Sequence, residues 1–275
     1  MIRRLPFRFA HSLLLCALLS GGGAGTALAC GTPDSDCRIG ARDYRIVLPK
    51  APAPGKPLGA ILFAHGYRGS SAGVMRNRSL IRLANGLGLA LVALNAAGHD
   101  WALPHAPAHN EVEGVNELAY IDAVIADLKT RHGIDPDRLV ASGFSAGGMM
   151  TWYLACHRAA SFAGFAPMSG TFWRPVPQSC PGGGVDLIHY HGTEDPVVPL
   201  GGRPIAETHQ GDVRKAIEMM RETGGFTPDG WKRAGDLECE TYANDREQRL
   251  ELCLWPGGHS FRMGFLERAV KAFLE

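Results

Sequence analysis

Gly143-Phe144-Ser145-Ala146-Gly147 is a Gly-x-Ser-x-Gly run whose surroundings make its serine a candidate nucleophile. Asp137 to Ser142 reads as a short strand, and Gly147 to Ala155 as the helix after it. A strand, a sharp turn and a helix in that order lift the central serine above the sheet edge, because glycines on either side let the chain bend where side chains would clash. A serine hydroxyl is a poor nucleophile at neutral pH, so it needs a base to take its proton and an acid to orient that base. When such an elbow comes first, the acid and then the base follow it in the chain.

Val185 to Gly192 looks like a buried strand, and Thr193-Glu194-Asp195-Pro196-Val197-Val198-Pro199 is the loop that leaves it. Asp195 is expected as the acid rather than its neighbour Glu194, because Pro196 restricts the preceding backbone and helps to fix a short carboxylate. A strand-like segment from Arg249 to Trp255 runs into Pro256-Gly257-Gly258-His259-Ser260, and a helix follows from Phe261. His259 is the expected base. Among the 11 histidines, His189 and His191 share one side of a strand and invite a metal reading with His209. No carboxylate or cysteine spacing completes that set, so no metal is expected. His191 is read instead as part of the strand end that positions Asp195.

The negative charge of a tetrahedral intermediate needs donors, one of them the backbone N–H of the residue after the nucleophile, Ala146. The second should come from the loop after an early strand. Leu58 to Ala64 is such a strand, and it ends in His65-Gly66-Tyr67-Arg68-Gly69. The Tyr67 amide is the candidate, with Gly66 turning the backbone toward the substrate. The same glycines could cradle a phosphate, but neither a Gly-Lys-Ser/Thr ending nor a Gly-x-Gly-x-x-Gly run is present, so no nucleotide or other cofactor is expected.

The string from Gly133 to Met150 resembles the elbow region of secreted esterases grouped as polyhydroxybutyrate depolymerases and feruloyl esterases. His191 to Pro199 and Gly257-Gly258-His259-Ser260 resemble the acid and base motifs of the same family, and the likeness runs from about Tyr44 to the C-terminus. The resemblance implies an α/β-hydrolase fold, ester hydrolysis without a cofactor, and Ser145, Asp195 and His259 as the triad. The chain departs from the family in carrying Asn116-Glu117 where paired aspartates are common, and Met219-Met220 where an aromatic is common. Both departures bear on substrate preference rather than chemistry.

Arg3, Arg4 and Arg8 precede an apolar run from Leu13 to Leu19, and Ala27-Leu28-Ala29 is a small-residue cleavage site. Residues 1–29 therefore read as a signal peptide of an exported protein. Cys30 at the cut raises the alternative of a lipid-modified cysteine, although Ala27 stands where such sites prefer leucine. No other stretch is apolar enough to span a membrane. Without Cys16, six of the seven cysteines remain, an even number that suits disulfides. Proximity suggests Cys30 with Cys37, Cys239 with Cys253 across a hairpin, and then Cys156 with Cys180.

Strands at about 60–64, 89–94, 138–142, 185–190 and 248–255 alternate with helices at about 74–87, 114–131, 147–158, 211–223 and 261–274. Such alternation with near-continuous apolar strands means an α/β fold, a mostly parallel sheet with helices on both faces, here one domain over 30–275. Arg42 to Leu48 alternates like an edge strand. With 28 basic and 27 acidic residues the net charge is +1, so no field draws the chain to nucleic acid or anionic lipid. The expected activity is that of a secreted serine carboxylic-ester hydrolase, acting as a monomer on small or oligomeric esters. Hydroxyalkanoate esters are the first substrate reading, and feruloyl or acetyl esters of plant polysaccharide the second. A non-catalytic binding protein on the same scaffold is the rival class, and an intact serine, acid, base and oxyanion loop count against it. Trp101 and Trp173 are candidate walls of the substrate pocket, or else packing residues.

Overall fold

The computed structural model describes residues 1–2, 30–107 and 114–275. The signal-peptide reading of 1–29 falls almost entirely outside them. The chain opens with two short antiparallel strands, β1 (Cys37–Ile39) and β2 (Arg42–Val47). Next come β3 (Ala60–Ala64), the short helix α1 (Ser71–Met75), α2 (Arg78–Gly86) and β4 (Ala90–Leu94). After α3 (Glu117–His132) the chain forms β5 (Leu139–Phe144), α4 (Ala146–His157), β6 (Gly164–Met168) and β7 (Leu187–Gly192). It ends with the small hairpin β8 (Pro204–Ile205) and β9 (Thr208–His209), α5 (Val213–Gly224), β10 (Thr227–Ala234), β11 (Leu237–Ala243), β12 (Arg249–Trp255) and α6 (Met263–Leu274).

Ten strands form one sheet in the order β1-β2-β4-β3-β5-β6-β7-β12-β11-β10. The run from β4 to β12 is parallel, and antiparallel strands close both margins. Side chains alternate across a strand, so β3 serves two cores. Ile61 and Phe63 pack in a layer with Leu80 of α2 and with Leu266 and Val270 of α6. Ala60, Leu62 and Ala64 face the opposite layer, with Ile121 and Val124 of α3, Trp152 of α4 and Ile217 of α5. Each such Leu, Ile or Val, wholly buried, adds about 1.5–3 kcal/mol to the stability of the sheet that carries the site.

Local chemistry sets the helix ends. Asn116 caps α3 by accepting from the Ala119 N–H at 3.0 Å, and Gly133 closes it in the left-handed conformation at φ 65°. Asp212 caps α5 in the same way. The single helix expected at 74–87 is two, because Asn77 caps α2 and so ends α1 before it. Disulfides join Cys30 to Cys37, Cys156 to Cys180 and Cys239 to Cys253. The first engages the thiol that lipid attachment would need. The last links residues that lie directly opposite each other on β11 and β12.

Candidate active site

Ser145 sits between β5 and α4 at φ 59° and ψ −121°, a strained backbone for a residue with a side chain. Packing enforces the bend. A Cβ at Gly147 would run into the Ala64 carbonyl at the end of β3, and one at Gly143 would strike the Gly147 backbone and lie 2.9 Å from that carbonyl. The Ser145 N–H donates to the Met168 carbonyl of β6 at 2.9 Å, which fixes the turn from the other side. Although Ser145 occupies the N-cap position of α4, its hydroxyl caps no backbone N–H. The Oγ is left for other chemistry, at the positive end of a helix dipole.

The loops that carry Asp195 and His259 lie side by side because their strands do. β7 and β12 pair in parallel up to His191 opposite Leu254 and Gly192 opposite Trp255. Beyond the sheet, the Thr193 N–H donates to the Trp255 carbonyl and the Glu194 N–H to the Gly257 carbonyl, each at 2.9 Å. Asp195 Oδ2 is 2.7 Å from Nδ1 of His259, while Glu194 is exposed to solvent. The other carboxylate oxygen, Oδ1, accepts from the N–H groups of Val197 and Val198, both at 2.8 Å. Burial pushes this carboxyl up, but the hydrogen bonds from His259, Val198 and Val197 together outweigh it and hold Asp195 below the usual carboxylate range. An ionised carboxylate only accepts, so the His259 Nδ1–H donates to it and Nε2 keeps the lone pair of a base. The Phe144 ring, next to Ser145 in the chain, packs 4.6 Å from the His259 ring. Among the described residues no hydrogen bond joins Ser145 Oγ to His259.

Behind Asp195 runs a buried chain of hydrogen bonds whose direction is fixed at its start. The indole N–H of Trp152 can only donate, and it meets Nδ1 of His189 at 3.2 Å. His189 must then carry its proton on Nε2, which faces Nδ1 of His191 at 2.9 Å. The proton of His191 is thereby set on Nε2, 2.7 Å from the Val198 carbonyl and 3.6 Å from Asp195 Oδ2. Burial lowers the pKa of both rings, that of His189 most strongly, and keeps them neutral. The strand end that was expected to position Asp195 is thus extended by His189 and Trp152, which the sequence did not single out for that role. His209, the third member of the metal reading, hydrogen-bonds through Nδ1 to the Gln210 carbonyl at 2.6 Å.

The loop after β3 abuts the elbow. A Cβ at Gly66 would lie 3.3 Å from the Phe144 carbonyl oxygen and 3.6 Å from Cβ of Ser145, so the next residue, Tyr67, stands beside Ser145. Among the described residues no hydrogen bond takes up the Tyr67 N–H, and Ala146, first in α4, has no partner one turn back. His65 holds the loop. Its Nε2 accepts from the Ala96 N–H at 3.2 Å, so Nδ1 carries the proton and donates to the Gly66 carbonyl at 2.8 Å. Trp101, 1% exposed, donates its indole N–H to the His65 carbonyl at 2.8 Å. It supports the loop from below and does not line the cavity. Glu117, in the pair that departs from the family pattern, is buried and accepts from Arg42 at 2.7 Å and from the Ala102 N–H at 3.0 Å, which anchors the segment bearing Trp101. Met219 and Met220, the other departure, are buried in the core.

A cavity of about 270 Å³ opens over Ser145 and Ala146, walled by Tyr67, Met149, Trp173, Val198, Ile205 and Gln210 among others. Beyond Met149 and Trp173, which border both, lies a second and more apolar cavity of about 410 Å³, with Tyr153, Phe172, Pro175 and Pro177 in its walls. Trp173, one of the two tryptophans expected near the substrate, separates the two.

Residues 102–221 match the family model described as phospholipase/carboxylesterase. A protein of Aspergillus terreus named as a feruloyl esterase C is 31% identical over 202 residues, 70% of this chain and 68% of that one. The chain belongs to the α/β-hydrolase esterases. Its counterpart in Aspergillus niger, also named as a feruloyl esterase C, is 27% identical to this esterase over 267 residues, 91% of this chain and 90% of the relative. A protein of Nocardia uniformis named as an esterase, NocK, is 29% identical over 222 residues, and the alignment covers 80% of this chain but only 62% of NocK. In fold, the esterase is similar to the acetyl xylan esterase of Aspergillus awamori, with a TM-score of 0.64 over 84% of this chain and 98% of the other at 15% identity.

Proposed function

We propose that this protein hydrolyses carboxylic esters through an acyl-enzyme on Ser145, with His259 as base and Asp195 as its orienting acid. The observation that carries the reading is the 2.7 Å contact between Asp195 and His259 beside a strained elbow whose serine hydroxyl caps nothing. Ser145 Oγ attacks the ester carbonyl carbon as its proton passes to Nε2 of His259. The carbonyl oxygen becomes an alkoxide facing the N–H groups of Ala146 and Tyr67, donors that need no reorganisation. Collapse of the intermediate expels the alcohol oxygen, which takes the proton from His259. Water, deprotonated by the same nitrogen, then attacks the acyl ester, and the proton returns to Ser145 as the free acid leaves. Every group in the cycle comes from one chain, so a monomer suffices and no cofactor is called for.

The substrate class that fits best is an ester of an aromatic acid. Supporting this are a cavity at Ser145 walled by Tyr67 and Trp173 and two relatives named as feruloyl esterases. Hydroxyalkanoate esters are the second reading, supported by the motif resemblance at the elbow, acid and base. Three disulfides suit an exported enzyme, since such bonds persist in oxidising compartments. Methyl ferulate and hydroxybutyrate oligomers assayed side by side test the proposal. A kcat/KM at least tenfold higher on the ferulate supports the aromatic reading, the reverse order replaces it with the hydroxyalkanoate one, and no turnover of any ester refutes both.

A further inference from the structure

The cavity over Ser145 is lined by two charged residues, Asp100 and Arg203, and every other described residue in its wall is neutral. Asp100 follows β4 and Arg203 follows β7, strands that stand on opposite sides of β5, whose end carries Ser145. The two charges therefore flank the serine. Asp100 is engaged, with Oδ1 accepting from the Trp101 N–H at 2.8 Å. Arg203 is held but not neutralised. Gly202 precedes it at φ 71°, where a Cβ would run into the Gln210 carbonyl, and Pro204 after it favours an extended backbone. The Arg203 carbonyl accepts from the Gln210 N–H at 2.9 Å, and its half-buried side chain donates through Nε to the Val197 carbonyl at 2.7 Å. No acidic group among the described residues pairs with the guanidinium, whose Nη atoms keep their N–H groups for another partner. Because the backbone and Nε are fixed in advance, a ligand that bonds those groups loses less to ordering than it would at a freely swinging surface arginine.

We propose that this cavity takes esters carrying a free carboxylate, with Arg203 as the residue that selects them. The inference rests on the ester-hydrolase reading above and adds a charge requirement to it. A planar guanidinium presents paired N–H groups that match the two oxygens of a carboxylate. Asp100 repels the same anion on the other side of Ser145, so the charged end of the substrate lies toward β7 and the neutral end toward β4. Ser145 and Arg203 line one cavity of about 270 Å³, which places the carboxylate a few carbons from the ester. The carboxylate can belong to the acid half, as in a half-ester of a dicarboxylic acid, or to the alcohol half, as in an acylated hydroxy acid. Both present the same chemistry to Arg203.

The test is a pair of kcat/KM ratios, charged ester over neutral isostere, in the wild type, Arg203→Gln and Arg203→Lys. Monomethyl glutarate against methyl valerate places the charge in the acid half, and 4-acetoxybutyrate against butyl acetate places it in the alcohol half. Each ratio is read on one enzyme preparation, so it is independent of the fraction that is folded. At low salt the wild type is expected to favour the charged member of at least one pair about tenfold or more, and that pair names the half that bears the carboxylate. Arg203→Gln keeps an N–H for the Val197 carbonyl but lacks the charge, and should bring that ratio to unity or below. Arg203→Lys should retain a preference that shrinks as salt is added, a response that a purely structural role would not give. A wild-type ratio of unity or less in both pairs, or an Arg203→Gln enzyme with the wild-type ratio, overturns the assignment. If none of the four esters is turned over, the ester-hydrolase reading fails instead, and titration calorimetry with monomethyl glutarate and 4-acetoxybutyrate reads the carboxylate site alone. Binding of either by the wild type that weakens about tenfold or more in Arg203→Gln supports the site, and no binding of both, or equal binding by the variant, overturns it.

Discussion

Replacing Asp195 by asparagine alters a single property of the site. The carboxylate accepts at Oδ1 from Val197 and Val198 and at Oδ2 from His259. Asparagine keeps an oxygen for the two amides, so the loop is held. Toward His259 it presents N–H, a donor, and Nδ1 must then accept. The ring proton moves to Nε2, the nitrogen that should take the proton of Ser145. A wrongly tautomerised base lowers kcat by about 10⁴ in such triads, equivalent to about 5.5 kcal/mol at 1.36 kcal/mol per decade. The fold loses the charge that assists the three hydrogen bonds to Asp195, so stability should fall by about 1.5–3 kcal/mol. Initial rates on p-nitrophenyl acetate together with thermal melts separate the two effects, and Glu194→Gln, at an exposed side chain, serves as the control with a rate within about twofold of wild type. Asp195→Asn that keeps more than a tenth of the turnover, or Glu194→Gln that loses more than Asp195→Asn, would show that the acid is misassigned.

Two further outcomes follow from the geometry. Burial lowers the folded-state pKa of His65, His189 and His191, so the stability these neutral rings provide is fully present above the unfolded value of about 6.5 and is lost as pH falls from there toward and through the folded values. Each contributes up to about 1.4 kcal/mol per pH unit in that window, and chemical denaturation from pH 7.5 down to pH 5 should give a declining stability; a flat or rising curve would contradict the neutral chain behind Asp195. Trp173→Ala should join the two cavities that it separates, moving the acyl-length optimum on p-nitrophenyl esters from a few carbons to longer chains. A variant profile superimposable on the wild type, or a wild type that already improves steadily toward long chains, would refute that partition.

The elbow was legible because its physics is local: two glycines, a strand before and a helix after are all contained in a short run of sequence. The meeting of Asp195 with His259 was legible too, since Pro196 and Gly257-Gly258 mark the loops that carry them. What escaped depends on long-range pairing. β6 was missed because Gly164-Phe165-Ala166-Pro167-Met168 carries a glycine and a proline that argue against a strand, yet it fills the gap between β5 and β7 wholly buried. β10 went unread as well, because Pro228 and Gly230 argue against a strand, but an edge strand tolerates them with a register shift between the two. The segment expected as an edge strand, β2, lies one place inside the margin because β1 covers it. No local signal joins Trp152 to His189, or Glu117 to the support of Trp101, because those contacts exist only once helices pack on the sheet.

The central claim is that Ser145 forms the acyl-enzyme, and stoichiometric labelling with a fluorophosphonate ester measures it directly. The expected result is one covalent adduct per chain, mapped by peptide mass spectrometry to Ser145, with complete loss of ester hydrolysis and no adduct in Ser145→Ala. An adduct on another residue, or a Ser145→Ala enzyme that keeps more than a tenth of wild-type turnover, would contradict it.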